Sequence, residues 1–404
     1  MRRSSMGSLA LSRVAAQDPA PTIADEVARL ARQELAPIAA AVDAGSVYPG
    51  EFLHRLGKVG AWSSHVPQEG PADLRWAIQS MAALGEVCGA TAFMAWCQNT
   101  LVWYVANSTN MKLAARFGDC FSRGRVLGGT GLSNPMKSFF GIERLKLKGR
   151  KVEGGYIVRG ALPWVSNLGP GHYFGTIFER EDEGTKGEPG GIASGEPGGI
   201  ASGEPGGIAR GEPASTVMFL ADCSDPAITL TPCKPFLAMD GTGTYGVQFR
   251  DVFVPDELIL AEPAAPFVKK IRAGFILLQA GMGLGLMKDC INIMDEVHAP
   301  LGHVNRYLPQ QPLQFRELYA EFEKEAMALA SDPYNADDSY WRRVVALRLR
   351  IGDASVAFAH AAMLHCGARG YLMSHRAQRR LREAYFVAIV TPATKQLRKM
   401  LADG

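Results

Sequence analysis

The chain has 404 residues, of which 47% are hydrophobic and 21% charged, and a formal net charge of +3. That length suffices for two or three domains sharing a large core, and the composition is that of an ordinary soluble globular protein. A charge so small, spread along the chain, excludes a dedicated nucleic-acid surface. The seven cysteines are scattered and contain no Cys-x-x-Cys. They read as reduced thiols of a cytoplasmic protein, with no disulfide framework and no metal site. No stretch reads as the roughly 18 apolar residues needed to span a membrane.

Residues 1–21 are expected to be a disordered leader. Arg2, Arg3 and Arg13 stand among serines with no acid, in the manner of a transit peptide, and Met6 is an alternative start. Residues 22–125 read as a helical domain. Ile23, Val27, Leu30 and Ala31 recur at helical spacing, Pro49 marks a helix start, and residues 74–117 give two long apolar helices of a bundle core.

Residues 126–262 read as a β-domain. Leu127 to Pro135 is rich in small residues, the composition of backbone that must approach a flat ligand. Alternating runs at 142–147 and 152–158 predict strands joined by a turn at Lys148-Gly149-Arg150. Trp164-Val165-Ser166 closes the unit, where an ordinary β-domain would bury the Trp. Within 184–213 the octapeptide Gly-Glu-Pro-Gly-Gly-Ile-Ala-(Ser/Arg) repeats three times from Gly187 and begins again. One Ile per repeat builds no core, and glycine does not fall on every third residue, so a flexible loop is expected and collagen excluded.

Residues 266–404 return to helices. Phe275 to Met294 is apolar, with Gly281, Gly283 and Gly285 permitting close packing, and Leu313–Ala330 and Tyr340–Met373 follow. Pro309, Pro312 and Pro333 are read as breaks.

Two blocks carry a family resemblance. Leu132-Ser133-Asn134-Pro135 and Trp164-Val165-Ser166 resemble the Leu-Thr-Glu-Pro and Trp-Ile-Thr segments of the acyl-CoA dehydrogenase family. Gly246 to Pro255 is similar to that family's Phe-x-Asp-Val-x-Val-Pro strand. The resemblance covers roughly residues 22–401 and implies an α+β multi-domain fold. Its parts are an N-terminal α-helical domain, a middle β-barrel-like domain and a C-terminal four-helix bundle.

It also implies FAD. The backbone around Leu132, the hydroxyls of Ser133 and Ser166, the face of Trp164 and the adjoining Val165 would hold the isoalloxazine ring. Arg306, from a neighbouring subunit, would meet the diphosphate, with Gly367 in the C-terminal Gly-rich segment and Thr394 and Gln396 toward the adenosine. The implied partners are a small-molecule substrate of the acyl-CoA kind, an electron-transfer protein and further copies in a homodimer or homotetramer.

The chemistry departs from the family. The base position of Tyr-Glu-Gly-Thr aligns with Pro392, and the alternative position falls near Phe275, so no catalytic residue is assigned. His365, His375 and Glu383 are the nearest titratable groups. Ser138-Phe139-Phe140 replaces Gly-Ser-Asp on the substrate side. Three functions follow: a CH–CH oxidoreductase with an unusual base, a flavin monooxygenase on the same scaffold, or a non-catalytic flavin-binding relative.

Overall fold

The computed structural model describes residues 22–67, 71–181 and 215–403. The expected leader (1–21), the repeat loop (184–213) and part of the 66–70 turn lie outside the described residues.

The N-terminal helices are α1 (Ile23–Leu30), α2 (Ala39–Asp43), α3 (Gly50–Lys58), α4 (Arg75–Val87), α5 (Gly89–Asn107) and α6 (Met111–Ser122). Thr22 opens α1 with a capping box to Asp25, which satisfies two otherwise unpaired amide donors. Helix α5 is buried nearly all round, and so reads as apolar throughout rather than striped.

The middle of the chain forms strands β1 (Gly128–Thr130), β2 (Leu147–Val152), β3 (Gly155–Val165), β4 (Tyr173–Arg180), β5 (Thr216–Asp222), β6 (Ile228–Pro232), β7 (Tyr245–Pro255) and β8 (Ile259–Ala261). They make one sheet in the order β6-β7-β3-β2-β4-β5-β8, with β1 added in parallel to β4. The sheet curls on itself. Phe249 on β7 meets Phe174 on β4 at 6.2 Å and Phe219 on β5 at 6.1 Å, although β3 and β2 separate β7 from β4 in the ladder.

The predicted hairpin is displaced. Residues 142–146 are not strand, Lys148-Gly149-Arg150 lies within β2, and the turn is at Glu153-Gly154. Gly154 takes φ of +74° there. Gly149 is a glycine for another reason: an added Cβ would run into the ring of Phe178. Strands β4 and β5 are paired as far as Glu179↔Thr216, which brings together the two ends of the segment that holds the repeats.

A short helix α7 (Ser133–Phe139) follows β1, and the C-terminal helices are α8 (Ala264–Leu278), α9 (Ala280–Glu296), α10 (His298–Asn305), α11 (Pro312–Ala330), α12 (Asp338–Cys366), α13 (Arg376–Ile389) and α14 (Thr394–Asp403). Helices α8, α9, α11, α12 and α13 run for 14 to 29 residues, and α10 and α14 are shorter, at 8 and 10. Pro312 opens α11 at its first turn rather than breaking a pattern.

Taken together, α8 and α9 are long and apolar enough to cross a membrane, contrary to expectation. The most apolar window is, however, 94% buried within the protein, as a core helix requires. Gly85 of α4 and Gly285 of α9 face each other there, so N-terminal and C-terminal helices share one core. All seven cysteines are free.

Candidate functional site

Three pieces of chain meet at the seam between the sheet and the C-terminal helices. The first is β1 running into α7. Its glycines permit close chain-to-chain approach: a Cβ at Gly128 would strike Tyr173 O, and one at Gly129 would strike Ser166 O. The Leu132 amide, expected to face a ring, donates instead to Thr130 Oγ1 at 3.3 Å. Ser133 is half-buried, and its Oγ lies 2.8 Å from Thr391 Oγ1.

The second piece is the end of β3. Val165 points into the sheet core, whereas Trp164 is 59% exposed rather than buried. Ser166 Oγ shares a hydrogen bond with Thr244 Oγ1 at 2.7 Å, and Thr244 with Thr242 at 2.8 Å. Asn167 ends the strand in a left-handed conformation (φ 61°) that Asn tolerates better than most residues. Its amide donates to Gly128 O at 2.7 Å, and its carbonyl oxygen accepts from Tyr48 OH at 2.7 Å. This clamp holds the Ser166 turn against the β1 loop at Gly129, four residues ahead of Ser133.

The third piece is the turn 390–393 between α13 and α14. Gln279, at the break between α8 and α9, donates to Thr391 O at 2.8 Å, and Arg348 Nε donates to Gln279 Oε1 at 2.6 Å. Arg348 also donates to Val387 O. Its guanidinium is 2% exposed, has no carboxylate partner among the described residues, and leaves Nη1 without a bond. Burial pushes its pKa down to about 10. A relay of Arg348, Gln279, Thr391 and Ser133 therefore runs from the bundle core to the seam. Gln279, Arg348, Asn167 and Thr244 escaped sequence reading, since each acts through a partner remote in the chain.

The remaining candidates divide. Gln396 is buried and donates to Met136 O at 3.2 Å, and Thr394 turns its hydroxyl onto Ala388 O at 2.9 Å. Both sit at the seam end. Arg306 is exposed and lies over the Tyr307 ring at 5.0 Å. Gly367 holds φ of +60° at the end of α12. The 305–311 segment is tied to α12 by Asn305 donating to His365 O at 3.0 Å. Arg306 and Gly367 thus share the far end of the bundle, about 25 Å away by the length of α9.

None of the hydrogen bonds made by Ser133, Ser166, Gln279, Thr391 or Gln396 involves a carboxylate or imidazole. The titratable candidates are structural. His365 Nε2 pairs with Gln310 O, His375 caps α13 by accepting from Ala377 N, and Glu383 is 1% exposed in a salt-bridge cluster. Phe275 packs on Trp96 at 5.0 Å.

A family model of the acyl-CoA dehydrogenase N-terminal domain matches residues 19–118. The human mitochondrial short-chain specific acyl-CoA dehydrogenase is 22% identical over 396 residues, covering 93% of this chain and 86% of its own length. The chain is acyl-CoA dehydrogenase-like: its N-terminal part matches that family's model and nearly its whole length is similar to the human relative. Butyryl-CoA dehydrogenase from Megasphaera elsdenii superposes on this acyl-CoA dehydrogenase-like chain with a TM-score of 0.75 and 14% identity, over 96% of this chain and 99% of the other. The FAD complex of PigA gives a TM-score of 0.75 at 12% identity, over 94% and 96%. Both likenesses are of fold.

Proposed function

We propose that this acyl-CoA dehydrogenase-like chain is an FAD-dependent oxidoreductase acting on the CH–CH group of an acyl thioester or a related substrate. The observations that carry this reading are the exposed Trp164, two residues from Ser166, and two hydroxyl pairs, Ser133 with Thr391 and Ser166 with Thr244. An indole face and hydroxyl donors are the groups that hold a flat ring rich in acceptors, and the residues at the seam fit FAD. FAD, when bound, supplies the capacity to accept a hydride. Ser133 and Ser166 would orient the ring by hydrogen bonds, and Trp164 would shape its seat. Val165, buried in the sheet core, anchors the strand end that carries both Trp164 and Ser166, and Gln396 braces α7 at Met136. Arg306 and Gly367, a bundle's length away, serve the diphosphate end from a neighbouring copy. Reoxidation calls for an electron-transfer partner.

The purified protein is expected to be yellow, or to quench the fluorescence of added FAD, and Trp164→Ala should weaken that binding at least tenfold. A colourless protein that leaves FAD fluorescence untouched removes the proposal.

A homodimer or homotetramer completes the site in this reading. Tyr307, Tyr371 and Met373, at the end that carries Arg306, are 76%, 82% and 76% exposed, an unusual apolar outlay for a surface facing only water. Light scattering should give a mass of at least twice 43.6 kDa; a clean monomer at working concentration contradicts it.

The absence of a carboxylate at Thr391-Pro392 favours a second reading, a monooxygenase on the same scaffold, in which reduced flavin meets oxygen and no α-proton is abstracted. Substrate-dependent oxygen uptake after chemical reduction separates the two.

A further inference from the structure

We propose that the pocket at the head of α8 binds a small organic phosphate, with Arg272 as the anchoring cation. The pocket encloses about 300 Å³ between the first turns of α8 and the segment 333–341 that leads into α12. It lies away from the seam: Arg272 and Gln279 are seven residues apart on one helix, about 10 Å.

Arg272 carries the argument. Arg272 is half-buried and its guanidinium lies over the Trp341 ring, with Cζ 3.9 Å from the ring centroid. Packing against the indole holds the guanidinium in place without using its N–H donors, which stay available to fork an oxyanion. Among the described residues those donors meet no hydrogen-bond acceptor and no ion-pair partner. The charge is held at a cost, because burial lowers the pKa of Arg272 and only Asp338, outside hydrogen-bond reach, acts against this.

Lys269 and Lys270 line the same pocket, and neither has an ion-pair partner among the described residues. Lys270 Nζ reaches only Asn107 O, at 3.5 Å, and stands 5.6 Å from the Tyr334 ring. No acidic side chain lines the pocket.

Three converging cations favour a phosphate, with −1.5 to −2 charges at neutral pH, over a single carboxylate. The opposite wall is apolar and rigid: Tyr334 is stacked on Trp103 at 5.2 Å and hydrogen-bonded to Asn107 at 2.7 Å, with Pro333 buried beside it. Such a wall suits the body of a nucleotide or similar flat phosphate ester rather than a bare ion. The phosphate could be that of a free metabolite or the nucleotide end of a thioester carrier. Only the second source rests on the function proposed above.

The test is calorimetric titration of the full-length protein with ADP, inorganic phosphate and coenzyme A, alongside Arg272→Gln and Arg272→Lys. ADP should bind the unmodified protein, more tightly than inorganic phosphate. Arg272→Gln should weaken binding about tenfold or more, the worth of a charge-assisted fork, and Arg272→Lys should fall between. Melting temperature and flavin content should stay unchanged in both variants. Coenzyme A displacing ADP assigns the pocket to the thioester carrier; failure to displace it assigns a separate ligand, and either supports the site. No binding of ADP or phosphate at millimolar concentration, or equal binding by Arg272→Gln, overturns it. A protein that binds ADP but no flavin keeps this site and removes the oxidoreductase reading instead.

Discussion

Arg380→Met should destabilise the protein by roughly 3–5 kcal/mol, the cost of breaking a buried ion pair from one side. Arg380 is fully buried on α13, with Nε 2.6 Å from Asp289 Oδ2 and Nη1 2.7 Å from Glu383 Oε2. Burial alone would lower its pKa, but the two facing carboxylates outweigh it and the pKa is raised. The cluster also spans a helix junction. Arg380 and Arg379 donate to the last carbonyls of α4, Glu86 O and Val87 O, while Glu383 accepts from Gly89 N at the first turn of α5. Cations at a helix C-terminus and an anion at an N-terminus both follow the helix dipole. Gly89 must be glycine for this, since a Cβ would stand 2.8 Å from the Glu383 carboxyl carbon.

Removing the guanidinium strands two buried carboxylates. Arg376, 3.2 Å from Asp289, and Arg379, 3.7 Å from Glu383, remain to hold the loss near the lower figure. Chemical denaturation measures it. The variant Arg380→Met with Asp289→Leu and Glu383→Leu should recover most of the stability, because an apolar replacement of a whole buried pair is often neutral. A single variant as stable as the parent would show that water reaches the cluster.

That cluster illustrates what could be read in the sequence. The helices were legible because apolar residues recur at helical spacing, and Ser133, Trp164 and Ser166 because short motifs carry them. Glu383 was legible only as a titratable group near the base position; what it does depends on Gly89, 294 residues away. The seam shows the same limit. Gln279 reaches Thr391 across 112 residues and Arg348 reaches Gln279 across 69, and no local pattern marks either partner. The displaced hairpin failed for a local reason. Gly149 has the residue type of a turn, but sits in a strand because Phe178 leaves no room for a side chain. A glycine signals missing space or a left-handed backbone, and sequence does not distinguish the two.

Butyryl-, octanoyl- and palmitoyl-CoA should reduce the bound flavin weakly or not at all. Abstraction of an α-proton by a positioned carboxylate contributes about 10²–10⁴-fold, or roughly 3–5 kcal/mol of barrier, and the seam has none among its hydrogen-bonded groups. The hydroxyl that meets Ser133 belongs to Thr391, and a threonine hydroxyl is far too weak a base at neutral pH to replace a carboxylate. Thr391, not Pro392, is the side chain the turn delivers to the seam, held there by Gln279 and Arg348 behind it. Thr391→Glu should therefore raise the rate of flavin bleaching by an acyl-CoA at least tenfold over the parent, and Pro392→Glu should not. Neither variant should reach the full factor, because Phe139 and Phe140, half-buried at the end of α7, replace the small and polar residues expected on the substrate side. Anaerobic stopped-flow spectroscopy at the flavin absorption bands gives both rates. Rapid bleaching of the unmodified protein by any of the three thioesters would mean that a base outside the seam's hydrogen-bonded set reaches the substrate.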